Sequence, residues 1–256
     1  MPVSGTSRAA SLRAVALAVA LAAAAVGCVP SRQEERNADI AASTAVTFRS
    51  PDGVSLAGRV FGDGQVGVVL AHMFTADQAS WWAFARTLAP KGFTVLTFDF
   101  RGYCPGGVAG CSEGERDVAA MWQDVLGAVD FLMGRGLVRV MLVGASMGGT
   151  ASLIAAAQPG VSVVAIVALS APQSFEGLTA DRIVLGNVTA AKLFVAGNSD
   201  PTGSATSAET MYEESPPPKQ VEIVTSSDHG TDLLTGNQSG RMQTLITGYL
   251  ELHSGA

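Results

Sequence analysis

The stretch LVGASMGGTAS (Leu142–Ser152) contains a serine, Ser146, with a glycine two residues before it and another two residues after it. An apolar run leads into the serine, and a helix-like segment of small residues starts near Met147. When a strand turns at once into a helix, the flanking residues pack against each other, so Gly144 and Gly148 are needed because any side chain would clash. Such a turn pushes the Ser146 hydroxyl out at the C-terminal edge of a sheet, where α/β folds bind ligands.

The same turn places the free N–H groups of a helix N-terminus beside the hydroxyl, where they stabilise developing negative charge. In this strand–turn–helix context, GASMGG (144–149) resembles the nucleophile elbow of the α/β-hydrolase family. The resemblance extends over roughly residues 46–254. It implies an α/β-hydrolase fold, with Ser146 as the nucleophile.

A serine hydroxyl is a poor nucleophile until a base, usually a histidine oriented by a carboxylate, takes its proton. In the family, the chain order is serine, acid, histidine. Asp200, in FVAGNSDP, matches the family's acid turn, and His229, in TSSDHGTDLL, matches its histidine loop. The resemblance therefore assigns Asp200 as the acid and His229 as the base. Asp228 is the competing carboxylate, but its place next to His229 along the backbone makes the required contact awkward, and we interpret it as a solvated loop residue.

A further segment that matches the family follows the first long apolar run. VVLAHMFTAD (68–77) resembles the loop that supplies one half of the family's oxyanion hole, with Met73 at the usual glycine position. The resemblance implies that the backbone N–H groups of Phe74 and Met147 stabilise the oxyanion. It also implies that His72 is a structural histidine under the site.

The elements that must position these residues alternate along the chain. Two β-rich runs within 45–61 are joined by the turn Ser50–Gly53, which predicts an antiparallel hairpin. Strand-like and helix-like segments then alternate to the end, which is typical of a mostly parallel sheet with helices on both faces. We expect one domain over 46–256 without a cap domain, because the segment between ALSAP (168–172) and AKLFV (191–195) is too short to hold one.

The N-terminal region has the pattern of an export signal. An apolar run from Ala14 to Val26 follows two arginines and is shorter than the roughly 20 residues of a spanning helix. It ends in AVGC, which resembles a bacterial lipobox whose cysteine, Cys28, receives lipid. We therefore expect a signal peptide over 1–27, a flexible tether over 28–45, and an exported protein anchored by lipid to the membrane of the cell envelope. Without lipid on Cys28 the protein would be secreted.

The two other cysteines, Cys104 and Cys111, lie in the glycine-rich segment RGYCPGGVAGCSEGE. An even pair in an exported protein predicts a disulfide, which would stiffen this loop near the catalytic edge of the sheet. The overlapping segment FDFRG resembles the family's Asp-x-Arg-Gly sequence. We expect Asp99 and Arg101 to make structural hydrogen bonds.

The composition, 48% hydrophobic and 15% charged residues, suits a globular domain with a core of its own. A net charge of −6 and the lack of a Lys/Arg run argue against a nucleic-acid partner. The motifs imply neither a metal nor an organic cofactor.

Together, the residues and the resemblance predict a serine hydrolase that cleaves an ester or related acyl bond of a small molecule through an acyl-enzyme. Two alternatives remain open. The same three residues could serve a peptidase, a thioesterase or an acyltransferase, or the chain could be an inactive binding lipoprotein with the same fold.

Overall fold

The structure, a computed structural model, describes residues 1–2 and 31–255. Its strands, in chain order, are β1 (Ser43–Arg49), β2 (Ser55–Phe61), β3 (Val66–Ala71), β4 (Phe93–Phe98), β5 (Val140–Ala145), β6 (Ala165–Leu169), β7 (Ser174–Phe175), β8 (Leu178–Thr179), β9 (Ala191–Gly197) and β10 (Lys219–Val224). Its α-helices are α1 (Arg32–Ala41), α2 (Trp82–Leu88), α3 (Met121–Gly134), α4 (Met147–Ala156), α5 (Arg182–Asn187), α6 (Ser204–Glu214) and α7 (Ser239–Ser254). Short 3-10 turns cover Gln78–Trp81, Ala89–Lys91, Val118–Ala120 and Gly230–Leu234.

Eight of these strands form one sheet in the order β1-β2-β4-β3-β5-β6-β9-β10. The pairs β1–β2 and β2–β4 are antiparallel, and every pair from β4 to β10 is parallel. The predicted fold class and N-terminal hairpin are confirmed. The parallel strands all end at one edge of the sheet, called here the carboxyl edge; the edge where they begin is the amino edge.

Helices cover both faces of the sheet, which explains why β3, β4 and β5 are buried along their whole length. One face packs against α3, α4, α5 and α6, and the other against α2 and α7. Trp81 and Trp82 are both fully buried on the face that packs against α2 and α7. Because the two helix layers cover the faces of the sheet, the loops at its carboxyl edge are the part that can form a site.

The structure differs from the predicted flexible tether over 28–45. Residues 32–41 form α1, which begins with a capping box in which the side chains of Ser31 and Glu34 each accept a hydrogen bond from the other residue's backbone N–H. The buried carboxylate of Asp39 pairs with Arg86 of α2 at 2.8 Å, which fixes the helix to the domain. The signal peptide and Cys28 lie outside the described residues. Across residues 1–2 and 31–255, no helix combines the length and apolarity needed to cross a membrane.

Candidate active site

Ser146 lies in a tight turn between β5 and α4. Its φ and ψ are 50° and −121°, an uncommon conformation for a residue with a side chain, and its N–H donates to the Leu169 carbonyl at 2.7 Å. A Cβ on Gly144 would lie 2.3 Å from the Gly148 carbonyl oxygen, and one on Gly148 would lie 2.4 Å from that of Ala71. The steric reason for the two glycines is therefore confirmed, and it extends to the neighbouring strand β3.

Asp200 and His229 meet at the same edge, just beyond β9 and β10. The Nδ1 atom of His229 lies 2.7 Å from Oδ2 of Asp200. Because a carboxylate only accepts hydrogen bonds, the shared proton is assigned to Nδ1. The other ring nitrogen, Nε2, is then left as the basic atom.

The Asp200 carboxylate is held by further donors. The N–H and hydroxyl of Thr202 donate to Oδ1 at 3.0 and 2.8 Å, and the Ser204 hydroxyl donates to Oδ2 at 2.6 Å. Burial of Asp200 by itself raises its pKa, but the hydrogen bonds from Ser204, Thr202 and His229 together bring the pKa below the usual 3.8. Asp200 is therefore an anion that can orient the imidazole. The roles of Thr202 and Ser204 were not predicted from the sequence, although an Asp followed two residues later by a Thr is a recognisable turn pattern.

Ser146 and His229 open into one cavity of about 400 Å³. Its lining residues are Met73, Phe74, Thr75, Ser146, Pro172, Ser174, Phe175, Thr202 and His229. Within the described part of the chain no hydrogen bond joins the Ser146 hydroxyl to the His229 ring; such contacts often tighten only in the substrate complex. A largely apolar cavity with a hydroxyl and an imidazole suits a small substrate with an apolar portion.

The hydrogen bonds of Asp228 go to Ser226, and none in the described structure joins its carboxylate to the His229 ring. Oδ2 of Asp228 accepts a hydrogen bond from the Ser226 hydroxyl at 2.9 Å, and the Asp228 N–H donates to the same Ser226 hydroxyl oxygen at 3.0 Å. The side chain is half-buried rather than solvated, which corrects the sequence-based interpretation. Its local hydrogen bonds leave Asp200 as the partner of the imidazole.

The loop after β3 has a fixed orientation. The Met73 carbonyl accepts a hydrogen bond from Nδ1 of His72 at 2.8 Å, and the Phe74 carbonyl accepts one from the Tyr103 hydroxyl at 2.6 Å. In a trans peptide the N–H points opposite to the preceding carbonyl. The Phe74 N–H therefore points away from the buried His72. Tyr103 was not found from the sequence, because its contact depends on how two distant loops meet.

Met73, which replaces the family's glycine, fits because a glycine faces it. A Cβ on Gly230 would lie 2.9 Å from Sδ of Met73, and the Thr231 hydroxyl lies 3.8 Å from the same sulfur. Gly230 also has a φ of 56°, which favours glycine. The Met73 side chain thus packs against the segment that follows His229.

The second expected oxyanion donor is Met147, the first residue of α4. The N–H of a first helical residue has no acceptor within its own helix. Within residues 31–255 the Phe74 N–H likewise donates to no backbone carbonyl. Neither N–H is therefore paired within the described backbone, and the role of Phe74 and Met147 as oxyanion donors stays a prediction.

His72 lies under this loop and is fully buried. Burial lowers its pKa to about 4, and its Nε2 accepts a hydrogen bond from the Phe100 N–H at 3.2 Å. The neighbouring Asp99, 3.9 Å away, has its pKa raised to about 7 by burial, against the effect of two hydrogen bonds from Gln78. A neutral His72 is consistent with the expected structural role.

Arg101 and the cysteine loop complete this side of the site. Arg101 bonds to the carboxylates of Asp124 and Asp52, so the expected structural role of the Asp-x-Arg segment is confirmed. Cys104 and Cys111 form the predicted disulfide. In the described residues no group of three or more His, Cys, Asp or Glu side chains is arranged to hold a metal ion.

Comparison with known proteins agrees with the fold. Residues 67–230 match the family model of the alpha/beta hydrolase fold, and the chain belongs to this family. A Pyrococcus furiosus esterase superposes with a TM-score of 0.73 at 17% identity, covering 85% of this chain and 94% of its own. A dienelactone hydrolase from Anabaena variabilis gives 0.67 at 19% identity, covering 82% and 97%. A membrane phospholipase A, described as a bacterial virulence factor, gives 0.67 at 16% identity, covering 88% and 91%.

Proposed function

We propose that this α/β-hydrolase is a serine esterase that cleaves a carboxylic ester through Ser146, His229 and Asp200. The observation that carries the proposal is the 2.7 Å hydrogen bond between Asp200 and His229, together with the position of His229 and Ser146 in the lining of one cavity. The esterase and the phospholipase among the similar structures agree with this bond type.

The chemistry follows from the positions of the three side chains. The Ser146 oxygen attacks the ester carbonyl carbon while Nε2 of His229 takes the hydroxyl proton. The oxyanion accepts hydrogen bonds from the N–H groups of Phe74 and Met147. His229 then returns the proton to the departing alcohol oxygen, and an acyl-enzyme remains. Water attacks that ester with His229 as the base, which releases the acid and restores Ser146.

Asp200 acts through the ring of His229. It fixes the proton on Nδ1 and stabilises the imidazolium that forms when Nε2 is protonated. The hydrogen bonds from Thr202 and Ser204 keep the carboxylate ionised, as described above. No step requires a metal or an organic cofactor.

The proposal includes export and a lipid anchor at Cys28, supported by the apolar run and the AVGC sequence. Mass spectrometry of the protein purified from an exporting bacterial host tests this part. A mature chain that starts at Cys28 and carries acyl groups is expected. An N-terminus elsewhere, or an unmodified cysteine, contradicts the anchor and leaves a secreted enzyme.

The ester activity is tested with p-nitrophenyl esters of increasing acyl length. We expect Ser146→Ala to lose at least about 10³-fold in kcat. Ser199→Ala, which alters an exposed serine at the same edge outside the cavity, should keep wild-type rates. Equal activity of Ser146→Ala and wild type would exclude the proposed nucleophile.

A further inference from the structure

The direction of α2 relative to the two edges of the sheet follows from the strands that it connects. β3 ends at the carboxyl edge, and β4 begins at the amino edge. α2 connects these two strands, so it runs from the carboxyl edge to the amino edge. Trp82, its first residue, therefore lies nearer the candidate active site than Arg86, one turn later.

Two contacts fix the direction of α1 relative to α2. The Arg36 guanidinium lies 5.5 Å from the centre of the Trp82 ring, and Asp39 bonds to Arg86 at 2.8 Å. The earlier residue of α1 thus contacts the earlier residue of α2. The two helices run in the same direction, and the N-terminus of α1 is at its carboxyl-edge end.

The strand that follows α1 agrees with this direction. β1 begins at Ser43, which pairs with Phe61 at the amino-edge end of β2. The Arg59 side chain donates to the Ser43 hydroxyl at 2.7 Å and to the Ile40 carbonyl at 3.2 Å, which holds the α1–β1 junction in place. From this junction, α1 extends about 15 Å toward the carboxyl edge.

The segment before α1 is short. Only two residues separate Cys28 from Ser31, the N-cap of α1, so even a fully extended chain from Cys28 to Ser31 spans about 10 Å. The C-terminal end of α7 lies at the other edge of the sheet. Arg139, just before β5 at the amino edge, donates a hydrogen bond to the Ser254 carbonyl at the end of α7. The two ends of the domain therefore leave it at opposite edges.

We propose that docking of α1 turns the candidate active site toward the membrane that holds the Cys28 anchor, and that the substrates are acyl esters located in that lipid surface. This inference rests on the proposed esterase function and on the anchor. It deepens that function by naming where the ester is found.

The rim of the cavity agrees with a lipid substrate. Phe74 and Phe175 are half-buried and pack edge to face, with ring centres 5.3 Å apart, and Pro172 lines the same wall. Apolar side chains at an open mouth favour entry of an acyl chain. Because the segment between Cys28 and Ser31 is short, the opening of the cavity would stay close to the membrane surface that supplies such a chain.

The experiment compares two anchor positions on one protein. Residues 28–256 with Cys28→Ser are used in both forms, since the described fold starts at residue 31. One form carries a hexahistidine tag before residue 28 and the other carries it after residue 256. Both are bound to phosphatidylcholine vesicles that contain a nickel-chelating lipid. Each is assayed with 4-methylumbelliferyl oleate in the bilayer and with 4-methylumbelliferyl acetate in solution.

We expect the N-terminally anchored form to cleave the oleate at least about tenfold faster than the C-terminally anchored form, with equal rates on the acetate. Equal oleate rates, or none with either anchor, while the acetate is cleaved would overturn the orientation and keep the esterase. If neither form cleaves the acetate, the esterase proposal is wrong, and this inference with it.

A pair of substitutions tests the role of α1. Arg86→Ala leaves the buried Asp39 carboxylate without its ion-pair partner, which should release α1 from α2. In the N-terminally anchored form, the oleate rate should fall toward that of the C-terminal form while the acetate rate stays unchanged. Lys91→Ala, which removes an exposed ion pair with Glu251, should change neither rate. An unchanged oleate rate in Arg86→Ala would contradict orientation of the site by the Asp39–Arg86 contact.

Discussion

Replacing Asp200 by Asn should invert the hydrogen bond that orients His229. In the wild type, Oδ1 accepts from the backbone and hydroxyl of Thr202, while Oδ2 accepts from His229 and Ser204. The Asn oxygen would stay with Thr202, since only it can accept, so the NH₂ group would face the ring. The ring proton then moves to Nε2, which would point a donor at Ser146 and could not take its proton.

The expected loss in kcat is about 10⁴-fold, the effect of a wrong tautomer in a serine triad, or about 5.5 kcal/mol in the activation barrier. The assay is hydrolysis of the best p-nitrophenyl ester under saturating conditions. Asp228→Asn is the matched control, because that carboxylate bonds to Ser226 instead; its kcat should stay within about twofold. If Asp200→Asn retained more than about a tenth of the activity, the assignment of the acid would be refuted.

Three further predictions concern the elbow and the oxyanion loop. Gly148→Ala puts a Cβ against two backbone carbonyls and should lower the free energy of unfolding by about 3 kcal/mol in urea, whereas Gly186→Ala, in open space on a helix, should raise it by about 0.5–1 kcal/mol. Tyr103→Phe frees the carbonyl that its hydroxyl holds and should lower kcat about tenfold with little change in KM, while circular dichroism confirms the fold; an unchanged kcat would contradict a positioning role. Burial lowers the pKa of His72 to about 4, so between pH 6.5 and 4 the unfolded chain binds a proton at His72 that the folded protein does not. The free energy of unfolding should therefore fall by about 3 kcal/mol as the pH is lowered from 6.5 to 4. This is measured in an Asp99→Asn background, since the raised pKa of Asp99 has the opposite effect over the same range, and a flat profile there would contradict the buried neutral ring.

Much of the fold follows from local patterns. Apolar runs separated by helical segments predicted the parallel sheet, because strands covered on both faces need apolar side chains throughout. Gly144 and Gly148 predicted the elbow, because the need for glycine is steric; the clash at Gly144 is with Gly148 itself, whereas the clash at Gly148 is with the end of β3. The positions of Asp200 and His229 came from the family order rather than from spacing alone.

Other parts depended on contacts that no local pattern contains. Tyr103 reaches the Phe74 carbonyl across two loops, and Gly230 makes room for Met73 from the far end of the chain. The segment that became α1 has few apolar residues, and the pairing of Asp39 with Arg86 is one of the contacts through which it docks. Its N-terminal capping box was present in the sequence as Ser31 and Glu34 and could have been recognised there.

The most direct test of the central claim is covalent labelling with a fluorophosphonate, which reacts with an activated serine. Intact-mass and peptide mass spectrometry should find one adduct, on Ser146. The adduct should disappear in Ser146→Ala and form far more slowly in His229→Ala, since the base is then missing. A label on another residue, or the same labelling rate in His229→Ala and wild type, would contradict a Ser146 nucleophile activated by His229.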